Sequence, residues 1–122
     1  MLFRSLRRLV RETLRMRPTR IVVGEVRGDE ALDLLVALNS GVPGLCTIHA
    51  NSATDAIRKL STLCQIAGGV SAEFVTTTVA ATIDLVVHCR MTEHGTRQVT
   101  DIARPTLIDG HIEMESLWSP RS

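Results

Sequence analysis

Residues 20–28 read Arg-Ile-Val-Val-Gly-Glu-Val-Arg-Gly. Three β-branched residues in succession, Ile21, Val22 and Val23, have the composition of a strand buried on both faces, as in parallel sheets sandwiched by helices. A strand of that kind hands the chain to its carboxyl end, where loops and helix N-termini converge and open α/β sheets bind their ligands. Glu25 is the side chain delivered there. A carboxylate so placed can orient an attacking or metal-bound water, as a phosphoryl-transfer enzyme requires; it can equally pair with Arg20 or Arg27 and do nothing more.

Upstream, Leu2, Leu6, Leu9, Val10, Leu14 and Met16 recur at helical spacing with arginines on the other face. Pro18 ends that helix, because it lacks an N–H and disfavours helical geometry at Arg17. Downstream, Asp29 is placed to cap a helix over 30–39 that Gly41 terminates. Residues 44–48 read as a second strand. Ser52, with Asp55 three residues on, opens a helix that stops at Gly68-Gly69. A helix over 72–82 follows, then a strand over 85–89. Turns at Glu93-His94-Gly95 and Asp109-Gly110 join strands over 97–103 and 111–117. The order predicts one open α/β sheet, parallel first and antiparallel at its far edge.

The bulk properties agree. A length of 122 residues allows one domain; hydrophobic residues at 44% and charged residues at 22% describe a folded chain, not a disordered or disulfide-dense one. Aromatics at 2% make an aliphatic core and argue against a base-stacking surface for single-stranded nucleic acid. No apolar run reaches the ~18 residues of a membrane span. Cys46, Cys64 and Cys89 lack zinc or disulfide spacing and read as reduced thiols. Net charge is +1, yet residues 1–27 carry eight arginines against Glu12 and Glu25, and the remainder is acidic. That basic start also fits a mitochondrial transit peptide, but it runs into the first strand with no cleavage-like break. It could face phosphates, an anionic surface or an acidic partner.

The second chemical stretch is Cys46-Thr-Ile-His-Ala-Asn51. His49 could sense or polarise a phosphate, with Thr47 and Asn51 adding hydrogen bonds; a satisfied structural histidine is the plainer alternative. Strand alternation sends Cys46 and His49 to opposite faces unless the strand ends between them, which disfavours a thiol hydrolase. His88, His94 and His111 lack metal-ligand spacing. Asp29, Glu30 and Asp33 read as helix N-terminal charges favoured by the macrodipole.

Taken together, Leu14-Arg-Met-Arg-Pro18, residues 20–28, Ala37-Leu-Asn-Ser-Gly41, Thr47-Ile-His-Ala-Asn-Ser52 and residues 79–87 resemble the type II/IV secretion-system ATPases, nearest to the tight-adherence (Flp) pilus assembly branch. The resemblance covers nearly the whole chain. It implies a partial RecA-like P-loop NTPase of three layers, its parallel strands followed by an antiparallel hairpin edge. It further implies a hexameric ring that hydrolyses ATP at the cytoplasmic face of the bacterial inner membrane, against a secretion or pilus platform protein. Glu25 would be the Walker B carboxylate, reaching Mg²⁺ only through water. His49 would be the His-box histidine near the γ-phosphate. Arg27 belongs to the Walker B motif, Thr47 and Asn51 to the His box, and Arg15 and Arg17 would meet a neighbouring subunit.

One motif of the family is missing. Gly41–Gly44 is not followed by Lys-Ser/Thr, and the only lysine, Lys59, lies inside a helix. There is therefore no nest of backbone N–H groups for phosphates and no lysine to neutralise them. The stretch resembles the C-terminal portion of such an ATPase domain, without its Walker A loop and N-terminal domain. Two consequences are expected: an apolar strand flank around residues 21–23 left without its neighbour, and little or no turnover by the chain alone. A non-catalytic module of a secretion ATPase ring and a basic nucleic-acid-binding domain are the competing readings.

Overall fold

The computed structural model describes residues 6–120, so the first residues of the expected N-terminal helix, Leu2 among them, lie outside the described part. The helix itself is α1 (Leu6–Leu14). It ends in a turn in which Arg17 takes a left-handed φ of 52° ahead of Pro18. There follow β1 (Ile21–Val23), α2 (Glu30–Asn39), β2 (Gly44–Cys46), α3 (Ala53–Ala67), α4 (Ala72–Thr82), β3 (Val86–Met91), β4 (Arg97–Ile108) and β5 (His111–Trp118). The order and type of the elements are those that periodicity and turn residues predict, although β2 stops at Cys46 instead of residue 48 and the later strands shift their ends.

β1 and β2 pair in parallel, with Ile21 opposite Gly44 and Val23 opposite Cys46. β3, β4 and β5 form an antiparallel meander. The expected single sheet is thus two ladders. The facing edges of β2 and β3 are not hydrogen-bonded to each other; between them runs a groove of about 1100 Å³, walled by Leu45 and Cys46 on one side and Val86, Val87 and His88 on the other. Val22 and Leu45, on the open face of the two-stranded ladder, are 62% and 56% exposed. Cross-strand neighbours in the register, they form an exposed apolar pair on that face.

β4 runs five residues beyond its expected end, through Pro105. Proline cannot donate to a ladder and is tolerated where a strand is an edge. That condition holds here: β3 pairs with β4 only as far as Ala103, and from there Pro105 has β5 alone beside it. The β4–β5 turn, Asp109 (φ 49°) and Gly110 (φ 83°), has both central residues left-handed, matching the strand twist.

The core gathers Val10, Ile21, Val23, Val26, Leu34, Leu35, Ile57, Leu60, Cys64, Val75 and Val79. α2 is its centre, with most of its residues buried. Glu30 and Asp33, read from the sequence as helix N-terminal charges, are only 6% and 9% exposed. Each is buried because it has partners. Glu30 Oε1 accepts from the backbone N–H of Arg27 (2.6 Å) and of Gly28 (3.0 Å). Asp33 is held by Arg7 Nε at 2.6 Å and Arg11 Nε at 2.8 Å. Asp29 occupies the cap position but makes no side-chain cap bond; its carboxylate lies 3.4 Å from Arg7 Nη1. Glu30 ties down the backbone just ahead of α2, while the first-turn N–H groups of Ala31 and Leu32 donate to the carbonyls of Gly28 and Asp29 instead of to a capping side chain; the basic face of α1 is spent in part on tying α1 to α2. Among the described residues no helix is long and apolar enough to cross a membrane.

Candidate functional site

The two chemical stretches meet. Each leaves the carboxyl end of a strand in the same parallel ladder, so Glu25 and His49 emerge side by side. Two hydrogen bonds stitch the exits together: Val26 N donates to Thr47 O at 2.9 Å, and Thr47 Oγ1 donates to Gly24 O. The Thr47 hydroxyl is therefore committed to the backbone that carries Glu25.

Glu25 divides its two oxygens. Oε2 accepts from Arg27 Nε at 2.7 Å and lies 2.7 Å from Arg27 Nη2. Oε1 faces His49 Nδ1 at 3.6 Å. The carboxylate is one-third exposed and the imidazole almost wholly so, at 98%. The pairing of Glu25 with Arg27 and its approach to His49 thus coexist, since they use different oxygens. Glu25, Arg27, His49, Arg58 and Lys59 line a cavity of about 600 Å³, and His49 also borders the groove between β2 and β3.

The His49 loop is anchored from α3. Ser52 caps that helix by accepting from Asp55 N at 3.0 Å. Asp55 Oδ2 accepts from Asn51 N at 2.9 Å. Lys59, one turn on, donates from Nζ to the His49 carbonyl at 3.0 Å and lies 3.5 Å from Asp55 Oδ2. The Asn51 N–H, and then Lys59, hold the Asp55 carboxyl below the usual carboxylate range despite some desolvation.

Arg15 and Arg17 do not join this group. Both are exposed at the α1–β1 turn, Arg15 loosely paired with Glu12 at 3.9 Å, and neither lines the cavity. β2 ends at Cys46, so strand alternation does not extend to His49, and both residues border the groove between β2 and β3; burial pushes the half-buried Cys46 thiol up. His88 is engaged on β3 through Nδ1 and Thr100 Oγ1 at 2.9 Å. Sequence reasoning missed Arg58 and Lys59 as cavity residues and Glu30 as a buried acceptor. The i,i+4 spacing of Asp55 and Lys59 was the available signal for the first; nothing local announces the second.

The comparisons point one way. Residues 4–120 match the family model described as type II/IV secretion system protein. A Mycobacterium tuberculosis protein named for conjugal transfer is 37% identical over 115 residues, which are 93% of this chain and 32% of that one. The conjugal transfer protein TrbB of Rhizobium radiobacter is 41% identical over 91 residues, 74% of this chain and 27% of its own. Among solved structures, the VirB11 ATPase of the Brucella suis type IV secretion system, crystallised with sulphate, superposes with a TM-score of 0.73 at 27% identity, over 81% of this chain and 31% of that one. The Legionella pneumophila ATPase DotB gives 0.63 at 28% identity, over 78% and 26%. The chain spans about a third of the length of the relatives it matches. With a family model matched over nearly its whole length and a relative 37% identical across 93% of it, this chain belongs to the type II/IV secretion system protein family.

Proposed function

We propose that this chain is the Walker B and His-box portion of a RecA-like secretion or pilus-assembly ATPase, and that it does not turn over ATP by itself. The observation that carries the proposal is the convergence of Glu25 and His49, 3.6 Å apart, at the rim of one parallel ladder. Placement in the tight-adherence branch rests on the motif stretches 14–28 and 47–52 and belongs to the same proposal.

The residues present fit one end of Mg²⁺-ATP and not the other. Glu25 keeps Oε1 free of Arg27, so it can accept from a water and orient it, with no direct metal bond. Arg27 holds the opposite oxygen and keeps the carboxylate from rotating. His49, freely exposed beside that water position, supplies a donor toward an anionic group. Bound Mg²⁺-ATP would supply the electrophilic phosphorus. The phosphate-cradling end has no residues here: no glycine-rich loop with Lys-Ser/Thr exists in the chain, and Lys59 is held at the His49 carbonyl. Positioning and charge stabilisation of the phosphates dominate phosphoryl transfer, so a chain without a cradle is inert.

The missing cradle has room. The groove between β2 and β3, with its unpaired strand edges, fits an inserted strand that would merge the two ladders. A ring of such subunits, peripheral on the cytoplasmic side of the inner membrane and working on a platform protein, completes the reading; Arg15 and Arg17 would then face the next subunit.

Steady-state phosphate release tests it. The purified 122-residue chain is expected to hydrolyse ATP at the buffer rate. Mixed with a homologue's fragment bearing the N-terminal domain and phosphate loop, it is expected to turn over, and Glu25→Gln to lower that rate by roughly 10²–10³-fold. Turnover by the chain alone that is lost in Glu25→Gln refutes its inactivity. Restored turnover indifferent to Glu25→Gln refutes the assignment of Glu25.

A further inference from the structure

We infer that Lys59, oriented by Asp55, is a positioning residue that pins the His49 loop to α3 and thereby sets the imidazole opposite Glu25. The consequence for hydrolysis rests on the proposed function; the geometry itself requires no nucleotide.

The need for such a device follows from the exposure of His49. A ring 98% open to solvent is not held by packing, so its direction is inherited from the backbone of residues 47–51. A loop leaving a strand is ordinarily mobile, and a functional side chain on it is only as well placed as its supports. Here the loop is fixed at three points. At its start, Thr47 is bonded through its carbonyl and hydroxyl to the strand that carries Glu25. At its end, the Asn51 N–H is taken by Asp55 Oδ2 at 2.9 Å. In the middle, the His49 carbonyl accepts from Lys59 Nζ at 3.0 Å. This last bond is the one that bears on the histidine itself.

Lys59 is suited to the task because it is not free. Its i,i+4 relation to Asp55 puts the two on one face of α3, 3.5 Å apart, and the carboxylate limits where the ammonium can go. α3 is itself immobilised by buried Ala53, Ala56, Ile57 and Leu60. The chain of support therefore runs from core to helix, from helix to ion pair, and from ion pair to the His49 carbonyl. A charge-assisted bond to a main-chain acceptor is the stronger kind. Arginine at position 59 can make the same donation, whereas methionine keeps the stem and loses the donor.

The test uses the whole chain without nucleotide. His49 ring resonances are followed by NMR, and the change produced by Glu25→Gln is measured in three backgrounds: unaltered, Lys59→Arg and Lys59→Met. The response is expected to persist in Lys59→Arg and to fall about threefold or more in Lys59→Met, as the ring samples directions away from position 25. Asp55→Asn is the second variant: amide exchange at Asn51 is expected to rise about tenfold with the loss of its charged acceptor, while amides of residues 60–64 keep their protection. A full Glu25→Gln response in Lys59→Met, or an equal loss in Lys59→Arg, overturns the inference. So does an unchanged Asn51 exchange rate in Asp55→Asn. An absence of ATP turnover in the complementation assay would leave all these readings untouched, so the two proposals fail separately.

Discussion

Substituting Gly44 by alanine tests the geometry that brings the site together. Gly44 opens β2 directly opposite Ile21 of β1. A Cβ there would lie 2.6 Å from Ile21 Cγ2, 2.7 Å from the Ile21 carbonyl oxygen and 3.1 Å from Leu38 Cδ2. The first contact is about 0.8 Å short of ordinary van der Waals separation, which begins at 3.4 Å. Ile21 cannot yield easily: it is 4% exposed and its branched side chain has few rotamers. Its carbonyl, being backbone, cannot yield at all without the strand. β2 must then shift off β1, at a cost of about 1–3 kcal/mol for overpacking of this kind. At about 4 °C per kcal/mol for a chain of this size, Gly44→Ala is expected to lower Tm by roughly 4–12 °C, with a matching fall in the urea midpoint. Gly24→Ala is the control. No atom lies within 4 Å of its added Cβ, so it should change stability by at most about 1 kcal/mol, and upward if anything. Circular dichroism melts of both variants decide the matter. A Gly44→Ala chain as stable as the parent, or a Gly24→Ala chain equally damaged, refutes the close-approach reasoning.

Asp55 makes a pH prediction whose sign follows from its lowered carboxyl. Its contribution to stability is present above the ordinary carboxylate range, near pH 4, and is lost as pH falls through the depressed value. Asp55→Asn should therefore flatten that part of the acid limb of an unfolding-versus-pH curve; an unchanged limb contradicts the bond to Asn51. The thiols should react in a fixed order. Cys89 is exposed, Cys46 is half-buried with its thiol pushed up, and Cys64 is buried and pushed to about 11. A thiolate-selective reagent near pH 8 should modify Cys89 first and Cys64 only on unfolding; mass spectrometry showing early modification of Cys64 would contradict its burial.

Much of the architecture was legible because local signals agreed with one another. The Ser52–Asp55 cap, the Asp109-Gly110 turn and the β-branched run at 21–23 each state their own conformation, and each took it. What failed to show were relations that bridge elements. Asp29 looks like the cap of α2, yet its side chain makes no cap bond; the first-turn N–H groups of Ala31 and Leu32 go to backbone carbonyls, and the buried Glu30 carboxylate finds its partners in the preceding Arg27 and Gly28 N–H groups. Asp33 looks solvent-facing until Arg7 and Arg11, twenty-odd positions earlier, close over it. Lys59 reads as an ordinary helix lysine until the preceding loop folds back onto α3.

By itself, then, the order of residues determined the family, the helices and strands, and the two short stretches bearing Glu25 and His49, since all of these are written in periodicity, turn chemistry and motif spacing. Only the tertiary structure decided that the strands form two ladders with a groove between them, and that Glu25 shares its oxygens between Arg27 and His49. It also decided that an ion pair on α3 holds the histidine loop. Those are matters of distance between segments remote in sequence, set by how the core packs, and no local pattern encodes them.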